Sequence, residues 1–362
     1  MRIISVELTN FRNFKTLVLS FHEVRNLILG ANGTGKTNLL EAIYYLTIGR
    51  SLRTGRDREL IRFDEPFLRI AGDFYAHGRS SHVEAVLSAS EKLFVVNGSP
   101  LSRVSDLVGR YPAVSLSLDD GQIVTGQPVH RRRFLDIALS VVNRSYLEDL
   151  IEYRRVLRQR NHALWEMKQG RRRSFKDIEA WDSQLVAVGS RIVSEREMRI
   201  GSIAPVAAET YKRLNGTGEA LAITYAPSFA LDGHSPSEAF ARRLEALRRS
   251  EEVHGRTLAG PHRDELELTV NGMPIRPFGS EGQCRCAAIA LRLAEAHLYQ
   301  MELDEAPVLL LDEVFAELDM SRTQNLMDLV VDGNQIFMAT ARGDPGLRQP
   351  FHEILVEQGE VR

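Results

Sequence analysis

Gly30-Ala31-Asn32-Gly33-Thr34-Gly35-Lys36-Thr37 places glycine, lysine and a hydroxyl at the spacing G-x-x-x-x-G-K-[ST]. Glycines at these positions let the backbone curl until successive N–H groups converge on one anion. A helix that starts at the lysine adds the positive end of its dipole. The chemistry this permits is binding of a nucleoside triphosphate, with Lys36 reaching the β- and γ-phosphates and the Thr37 hydroxyl ligating Mg2+. Gly30, Asn32, Gly33, Gly35 and Asn38 complete the expected nucleotide contacts. A glycine-rich turn can match such a pattern by chance. Here strand-like Asn26-Leu27-Ile28-Leu29 precedes the run and a helical pattern follows from Asn38, which is the context the motif requires.

Two further groups lie far downstream. Val308-Leu309-Leu310-Leu311-Asp312-Glu313 is an apolar strand ending in paired acids, followed by Glu317-Leu318-Asp319. Asp312 at the carboxyl edge of such a strand can hold Mg2+ through water, and Glu313 can polarise an attacking water. About thirty residues earlier stands Phe278-Gly279-Ser280-Glu281-Gly282-Gln283, opening a helix expected over Cys284 to Met301. A hydroxyl and bare N–H groups at a helix N-terminus suit a phosphate. The serine is one glycine out of register for a hydrolase nucleophile elbow and no His/Asp pair supports that reading. Ser280, Gly282 and Gln283 therefore read as nucleotide contacts, Ser280 with a catalytic part.

The elements that must position these groups fall into three stretches. Residues 1 to about 128 are mixed, with strands at Ile3–Leu8, Leu17–Phe21 and Asn26–Leu29, a helix over Asn38–Thr47, and strands Val83–Leu87 and Leu93–Val96. Val95-Val96-Asn97-Gly98-Ser99 signals a hairpin. From about 129 to 215 the pattern is helical, broken at Gly170 into two expected antiparallel helices of about 40 residues, or ~60 Å each. Leu221–Tyr225 reads as a strand, Ser237–Glu252 as a helix and Glu265–Val270 as a strand. Pro307–Leu311 reads as a buried parallel strand.

Composition bounds the rest. The 362 residues are 43% hydrophobic and 26% charged, enough apolar material for one large or two moderate domains. Cys284 and Cys286 are too few for a zinc site and suit a reducing cytosol, giving a cytoplasmic expectation. The first residues lack the apolar stretch of a signal peptide, and no apolar run approaches the ~20 residues of a membrane span. The net charge of -2 is uneven: Val129 to Lys176 holds 13 Lys or Arg against 5 Asp or Glu, leaving -10 for the other 314 residues. Most charge runs are solvated helix faces. Clustered Arg131, Arg132, Arg133, Arg154 and Arg158 nevertheless meet the requirement for non-sequence-specific binding of a DNA backbone.

The four elements, in this order, resemble the ABC-type ATPases, with the departure that Glu281 replaces the first glycine of the Ser-Gly-Gly-Gln signature. The signature serine of that superfamily contacts the γ-phosphate bound to the opposite subunit, which implies an ATP-dependent homodimer. Walker A and the paired acids lie roughly 270 residues apart, and a helical insertion of this kind resembles the SMC and Rad50 branch, though with a shorter arm. Further motifs resemble the RecF family of bacterial recombination mediators: Leu8-Thr9-Asn10-Phe11-Arg12-Asn13-Phe14, Gly49-Arg50-Ser51-Leu52-Arg53-Thr54, Arg131 to Asp136, Leu157 to Asn161, and Gly260-Pro261-His262-Arg263-Asp264. Ser117-Leu118-Asp119-Asp120-Gly121 departs from that family's Ser-Pro-Glu-Asp-Leu, leaving Asp119, Asp120 and Gln122 as polar candidates near the Q-loop.

The fold this implies is α/β, an ABC-type P-loop ATPase domain split in sequence by an inserted, mainly helical arm: 1–128, arm 129–254, and 255–362. The implied function is ATP-dependent binding of gapped or junction DNA in repair, replication and the SOS response, with slow DNA-stimulated hydrolysis, helping RecA load with RecO and RecR. Arg53 is placed as a phosphate or DNA contact and Arg342 in the switch segment, where Thr340 stands in place of the transporters' histidine. His262 and Arg263 either brace a turn or act near the nucleotide or dimer interface, whereas Trp165 and Trp181 read as arm packing. Two rivals stay open: a structural clamp with negligible turnover, and a transporter nucleotide subunit.

Overall fold

The computed structural model describes residues 1–171, 174, 176, 178–330, 333–341, 350–357 and 359–361. From the N-terminus, β1 (Arg2–Phe11), β2 (Phe14–Ser20) and β3 (Arg25–Leu29) lead into α1 (Lys36–Ile48). Then follow β4 (Phe67–Ala76), β5 (Arg79–Ser88), β6 (Lys92–Val96), β7 (Ser99–Pro100) and β8 (Ala113–Ser117). Next come α2 (Gly121–Thr125), α3 (Pro128–Val142), α4 (Arg144–Lys168), α5 (Glu179–Asn215), β9 (Leu221–Ala226) and α6 (Pro236–His254). The chain continues through β10 (Glu265–Val270), β11 (Met273–Pro274), α7 (Ile275–Phe278) and α8 (Glu281–Leu303). It closes with β12 (Val308–Asp312), α9 (Met320–Val330), β13 (Ile336–Thr340), β14 (His352–Glu357) and β15 (Glu360–Val361). Among the described residues no helix is long and apolar enough to cross a membrane.

These elements form two compact units. One comprises Met1–Asp120, Glu209–Gly218 and Arg285–Arg362, the other Gly121–Ala208 and Glu219–Cys284. The divisions differ from the segments 1–128, 129–254 and 255–362. The first break falls at the start of α2 rather than after it, and Ser280 to Gln283 belong with the helical unit.

In the first unit, one sheet has the order β2-β1-β4-β5-β6-β7 and is antiparallel throughout. The other has the order β15-β14-β3-β13-β12-β8, with β14 through β8 parallel. Val308 to Leu311 are all buried because β12 lies inside a parallel sheet, with α1 among the elements packed on its faces. Helix α1 packs against strands of both sheets and is buried around nearly its whole circumference, so its sequence lacks a clean polar face. The register sets the site. Leu29 at the end of β3 pairs with Thr340, and Ala339 pairs with Asp312 at the end of β12. The loop after β3 and the acids after β12 thus emerge at one carboxyl edge, where open α/β sheets bind ligands.

The second unit holds α2 to α4, most of α5, α6, α7 and a small sheet of order β11-β10-β9. Among the described residues, three helices rather than two run from Pro128 to Asn215, because Asn143 ends α3 and its side chain caps α4 by accepting from the Tyr146 N–H at 3.1 Å. Gly170, with φ 69°, follows α4 where the sequence placed a break. At 25 and 37 residues, α4 and α5 span about 38 Å and about 56 Å.

Much of the arginine content of this unit is internal. Arg160 is 0% exposed and reaches Asp182 at 2.6 Å, Glu251 at 2.7 Å and the Thr257 hydroxyl at 2.9 Å. Buried Arg196 reaches Asp136 at 2.8 Å, Asp264 at 3.2 Å and the Pro261 carbonyl at 2.8 Å. His262 accepts from the Tyr153 hydroxyl at 2.7 Å and lies 3.3 Å from the Thr257 carbonyl. The Gly260-Pro261-His262-Arg263-Asp264 run therefore serves as packing for His262 and Asp264, while Arg263 is exposed.

Removing one partner of a buried pair leaves the other charge desolvated. Arg160→Ala, which strands the fully buried Glu251, is expected to cost about 3–5 kcal/mol in denaturant unfolding. Exposed Arg158→Ala should change it by less than about 0.5 kcal/mol. Equal costs would contradict this assignment. Burial also pushes His262 down to about 4 from 6.5. Because the unfolded state takes the proton first, stability present above about pH 6.5 is lost as pH falls toward about 4. Between about pH 7 and about pH 4.5 the native chain should lose about 2–3 kcal/mol more than His262→Gln.

Candidate nucleotide-binding site

The loop from Gly30 to Gly35 joins β3 to α1, and two of its glycines are required by close approach. A Cβ on Gly30 would lie 2.4 Å from the Val356 carbonyl oxygen, and one on Gly35, at φ 120°, would lie 2.6 Å from Asn13 Nδ2. Asn13 comes from the turn between β1 and β2. Its Nδ2 donates to the Thr34 carbonyl at 2.7 Å, and its Oδ1 accepts from Asn38 Nδ2 at 2.7 Å. The N-terminal hairpin thus buttresses the loop from behind. Asn32 and Gly33 are exposed at its crest.

Lys36 begins α1 and is only 5% exposed. Its ammonium donates to the carbonyls of Gly30 at 2.8 Å and Ala31 at 3.1 Å, curling the loop around itself. It also lies 3.2 Å from Glu313 Oε1. That contact is an ion pair without hydrogen-bond alignment, since Oε1 is buried and makes no directed bond among the described residues. Glu313 holds a left-handed backbone at φ 53°, a strain that clusters at functional sites. Its N–H donates to the Ala339 carbonyl at 3.0 Å, and its Oε2 accepts from the Ala341 N–H at 3.3 Å. Adjacent strand β13 therefore aims the carboxylate.

The Thr37 hydroxyl donates to Asp312 Oδ1 at 3.0 Å. A hydroxyl and one carboxylate make an oxygen-only donor pair, and no cluster of three or more His, Cys, Asp or Glu capable of holding a metal occurs among the described residues. That set fits Mg2+, which takes one or two protein oxygens together with phosphate oxygens and water rather than an all-protein cage. Burial raises the Asp312 carboxyl above its ordinary range; Glu313 adds to the shift, while the Thr37 bond, Arg53 and Lys36 oppose it.

The electrostatic reach of Arg53 to Asp312 puts this exposed arginine beside the site. Its position is built by Arg12 and Ser51, which stand in the motifs quoted above, and by Glu41, which no motif marked. Buried Glu41 on α1 accepts from Arg12 at 3.0 and 3.1 Å and from the Ser51 hydroxyl at 2.5 Å. Ser51 Oγ in turn accepts the N–H groups of Arg53 and Thr54 at 3.1 and 3.0 Å. A glutamate on a largely apolar helix was the available signal.

Other sequence candidates land elsewhere. Ser280, Gly282 and Gln283 lie in the helical unit, at the start of α8. There the Ser280 N–H donates to Gln283 Oε1 at 2.8 Å and the Gln283 N–H donates to Ser280 Oγ at 3.2 Å, a reciprocal cap of the helix. Asp120 is taken by Arg292 at 2.7 and 2.9 Å and by the Ser117 N–H at 2.7 Å, leaving Asp119 and Gln122 exposed. Asp319 accepts from the Arg322 N–H at 2.8 Å and so caps α9. Arg342 lies outside the described residues, as do Arg172 and Arg173 of the basic run.

The arginines proposed for a polyanion divide. Arg131 is a correction: it is buried, forms a two-pronged pair with Glu265 at 2.6 and 2.9 Å, and donates to the Ile123 and Gly126 carbonyls, so its guanidinium is not available to phosphate. Arg132 is half-buried and donates to the Asp264 carbonyl at 2.8 Å. Arg154 is bound to Asp136 at 2.8 Å with its side chain 54% exposed. Arg133 and Arg158 are exposed.

A family model described as the RecF/RecN/SMC N terminal domain matches residues 2–345. A DNA replication and repair protein RecF of Moorella thermoacetica is 39% identical over 337 residues, covering 92% of this chain and 88% of that protein. The chain belongs to the RecF family. A second RecF, of Bacillus thuringiensis, is 36% identical over 361 residues, covering 99% of this chain and 95% of that one. Among solved structures, that of the recombination mediator protein RecF-ATP in the RecFOR pathway matches with a TM-score of 0.92 at 30% identity, covering 100% of this chain and 97% of that one. An Smc head domain from Pyrococcus furiosus, bound to the C-terminal domain of ScpA, matches at 0.58 and 19% identity and shares the fold alone. The fold is thus the ABC-type ATPase fold of RecF and SMC heads.

The raised Asp312 carboxyl gives a prediction with a definite sign. Its stabilising protonated form is lost as pH rises through its folded value, so at neutral pH the ionised group weakens the fold. Asp312→Asn, which can still accept from Thr37, should therefore raise the thermal midpoint of the protein without nucleotide. The same variant should lose the further rise that ATP with Mg2+ gives the native chain. A lowered midpoint would contradict the account.

Proposed function

We propose that the chain is a slow, DNA-stimulated ATPase of recombinational repair and replication maintenance that dimerises on ATP and closes on gapped or junction DNA. The observation that carries this reading is the convergence of Lys36, Thr37, Asp312 and Glu313 on one sheet edge. Thr37 and Asp312 would hold Mg2+, which when bound supplies charge screening for the β- and γ-phosphates. Lys36 stabilises charge on the same oxygens. Glu313 takes the proton from a water as its oxygen bonds to the γ-phosphorus and the bridging bond to the β-phosphate breaks, releasing ADP and phosphate. Ser280, Gly282 and Gln283 of a second copy complete each site from the γ-phosphate side, which makes closure depend on ATP.

The DNA would be met through phosphates by the exposed arginines Arg53, Arg133 and Arg158, with Arg154 contributing if it leaves Asp136. Recognition is then of strand structure rather than base sequence. Membership of the RecF family supports a cytoplasmic role in helping RecA load, with RecO and RecR as partners, in the setting of DNA damage and the SOS response. The Lys36–Glu313 ion pair favours slow turnover, because the base must exchange one partner for water. Buried Thr340 offers no imidazole to assist. A clamp with negligible turnover is the second reading on the same geometry.

Light scattering and phosphate release separate the two. Glu313→Gln should accumulate an ATP-bound dimer and lower turnover at least about 100-fold. Lys36→Ala should abolish both dimer and turnover. If Glu313→Gln neither traps a dimer nor slows hydrolysis, the base is another group. Affinity for gapped duplex should rise with ATP and fall with salt, and indifference to both would contradict the clamp.

A further inference from the structure

Helix α4 carries an exposed aromatic and cationic stripe, of which only Arg158 has been given a role above. Arg158, His162 and Trp165 follow at spacings of four and three, which puts them on one face. Trp165 is 44% exposed. The Arg171 guanidinium lies 5.5 Å from its ring centroid, and the His162 ring lies 6.1 Å away at 43°. Alongside is a cavity of about 290 Å3 lined by Arg158, Gln159, His162, Ala163 and Trp181. Trp181 forms its wall by packing on the buried cluster of Ala163, Leu164, Met167 and Ile178. The two tryptophans thus differ: Trp181 anchors the helices, whereas Trp165 offers a face to solvent.

The charges around the stripe select the ligand. Arg158 gives only its Nε, to the Arg154 carbonyl at 3.3 Å, among the bonds described. The neighbouring acids are Glu166, 3.9 Å from His162, and Glu152, which is paired with Arg155 at 2.5 Å. The face therefore combines cations with an accessible π-surface. A duplex buries its base faces in the stack, and an acidic peptide brings charge without a planar partner. An unpaired strand brings both phosphates and bases that stack on aromatic rings.

We propose that this stripe of α4 binds an unpaired DNA strand, with a base stacked on Trp165 and the backbone held by Arg158 and Arg171. The proposal rests on the reading that the chain binds gapped DNA, and assigns the single-stranded part of that substrate to a place in the helical unit. Because the chain has 2 tryptophans, Trp181→Phe makes Trp165 the sole tryptophan, excited selectively beyond the tyrosine absorption band. Titration of the full chain with oligo-dT should quench that emission. Trp165→Ala should weaken oligo-dT binding about ten-fold and change blunt-duplex binding less than about two-fold, with Trp165→Tyr recovering most of the loss. No quenching, equal affinity of the native and Trp165→Ala chains for oligo-dT, or equal loss for duplex and single strand would each overturn the site. Stronger binding of polyglutamate than of oligo-dT would overturn it in favour of a protein partner. Glu313→Gln dimerisation, measured in parallel, keeps the readings apart: a trapped dimer without quenching sinks only the stacking site, and quenching without a dimer sinks only the ATP-gated clamp.

Discussion

The contact between the Thr37 hydroxyl and Asp312 joins residues 275 positions apart and ties the start of α1 to the acids after β12. Neither side chain is long, so the contact requires that the ends of β3 and β12 stand at a common edge with one strand between them. Parallel register on β13 does this. Leu29 meets Thr340, Asp312 meets Ala339, and the backbone of β13 also fixes Glu313 through the Ala339 carbonyl. Residues inserted between these strands can be many, because register within the sheet, not chain separation, sets the distance. Packing α1 against both sheets then presents its first turn, with Lys36 and Thr37, to the acids.

Charge in this protein does two jobs that composition alone merges. The basic window from Val129 to Lys176 looks like one polyanion surface in the sequence, yet Arg131 and Arg160 are internal and bonded to carboxylates. Such residues have their cost of burial offset only by near-complete hydrogen bonding. Among the described residues, Arg133, Arg158 and Arg171 of the helical unit and Arg53 of the other are exposed.

The phosphate loop and the paired acids were legible because their chemistry fixes residue type and spacing together. β10 was legible to the residue through its alternation, and β12 through its unbroken apolar run. By contrast, the support of the loop by Asn13 and of Arg53 by Arg12, Glu41 and Ser51 depends on contacts across the fold rather than on any local pattern. The boundary between α3 and α4 was hidden for a related reason. Asn143 interrupts the helical periodicity for only one residue, and its capping bond is visible only in three dimensions. Gly260 to Asp264 was conspicuous in sequence, but Asp264 is explained by its buried contacts with Arg196, the Tyr225 hydroxyl and the Ser228 N–H.

A shared ATP site, with Ser280 supplied by a second copy as proposed above, can be tested by complementation. Lys36→Ala and Ser280→Arg chains can be mixed in equal amounts and ATP hydrolysis measured with gapped duplex present. Each variant alone should be inactive. The mixed dimer regains one intact site, built from the Lys36 of one chain and the Ser280 of the other, so the mixture should show turnover that neither variant has alone. No recovery on mixing, or full activity of Ser280→Arg alone, would contradict a shared site.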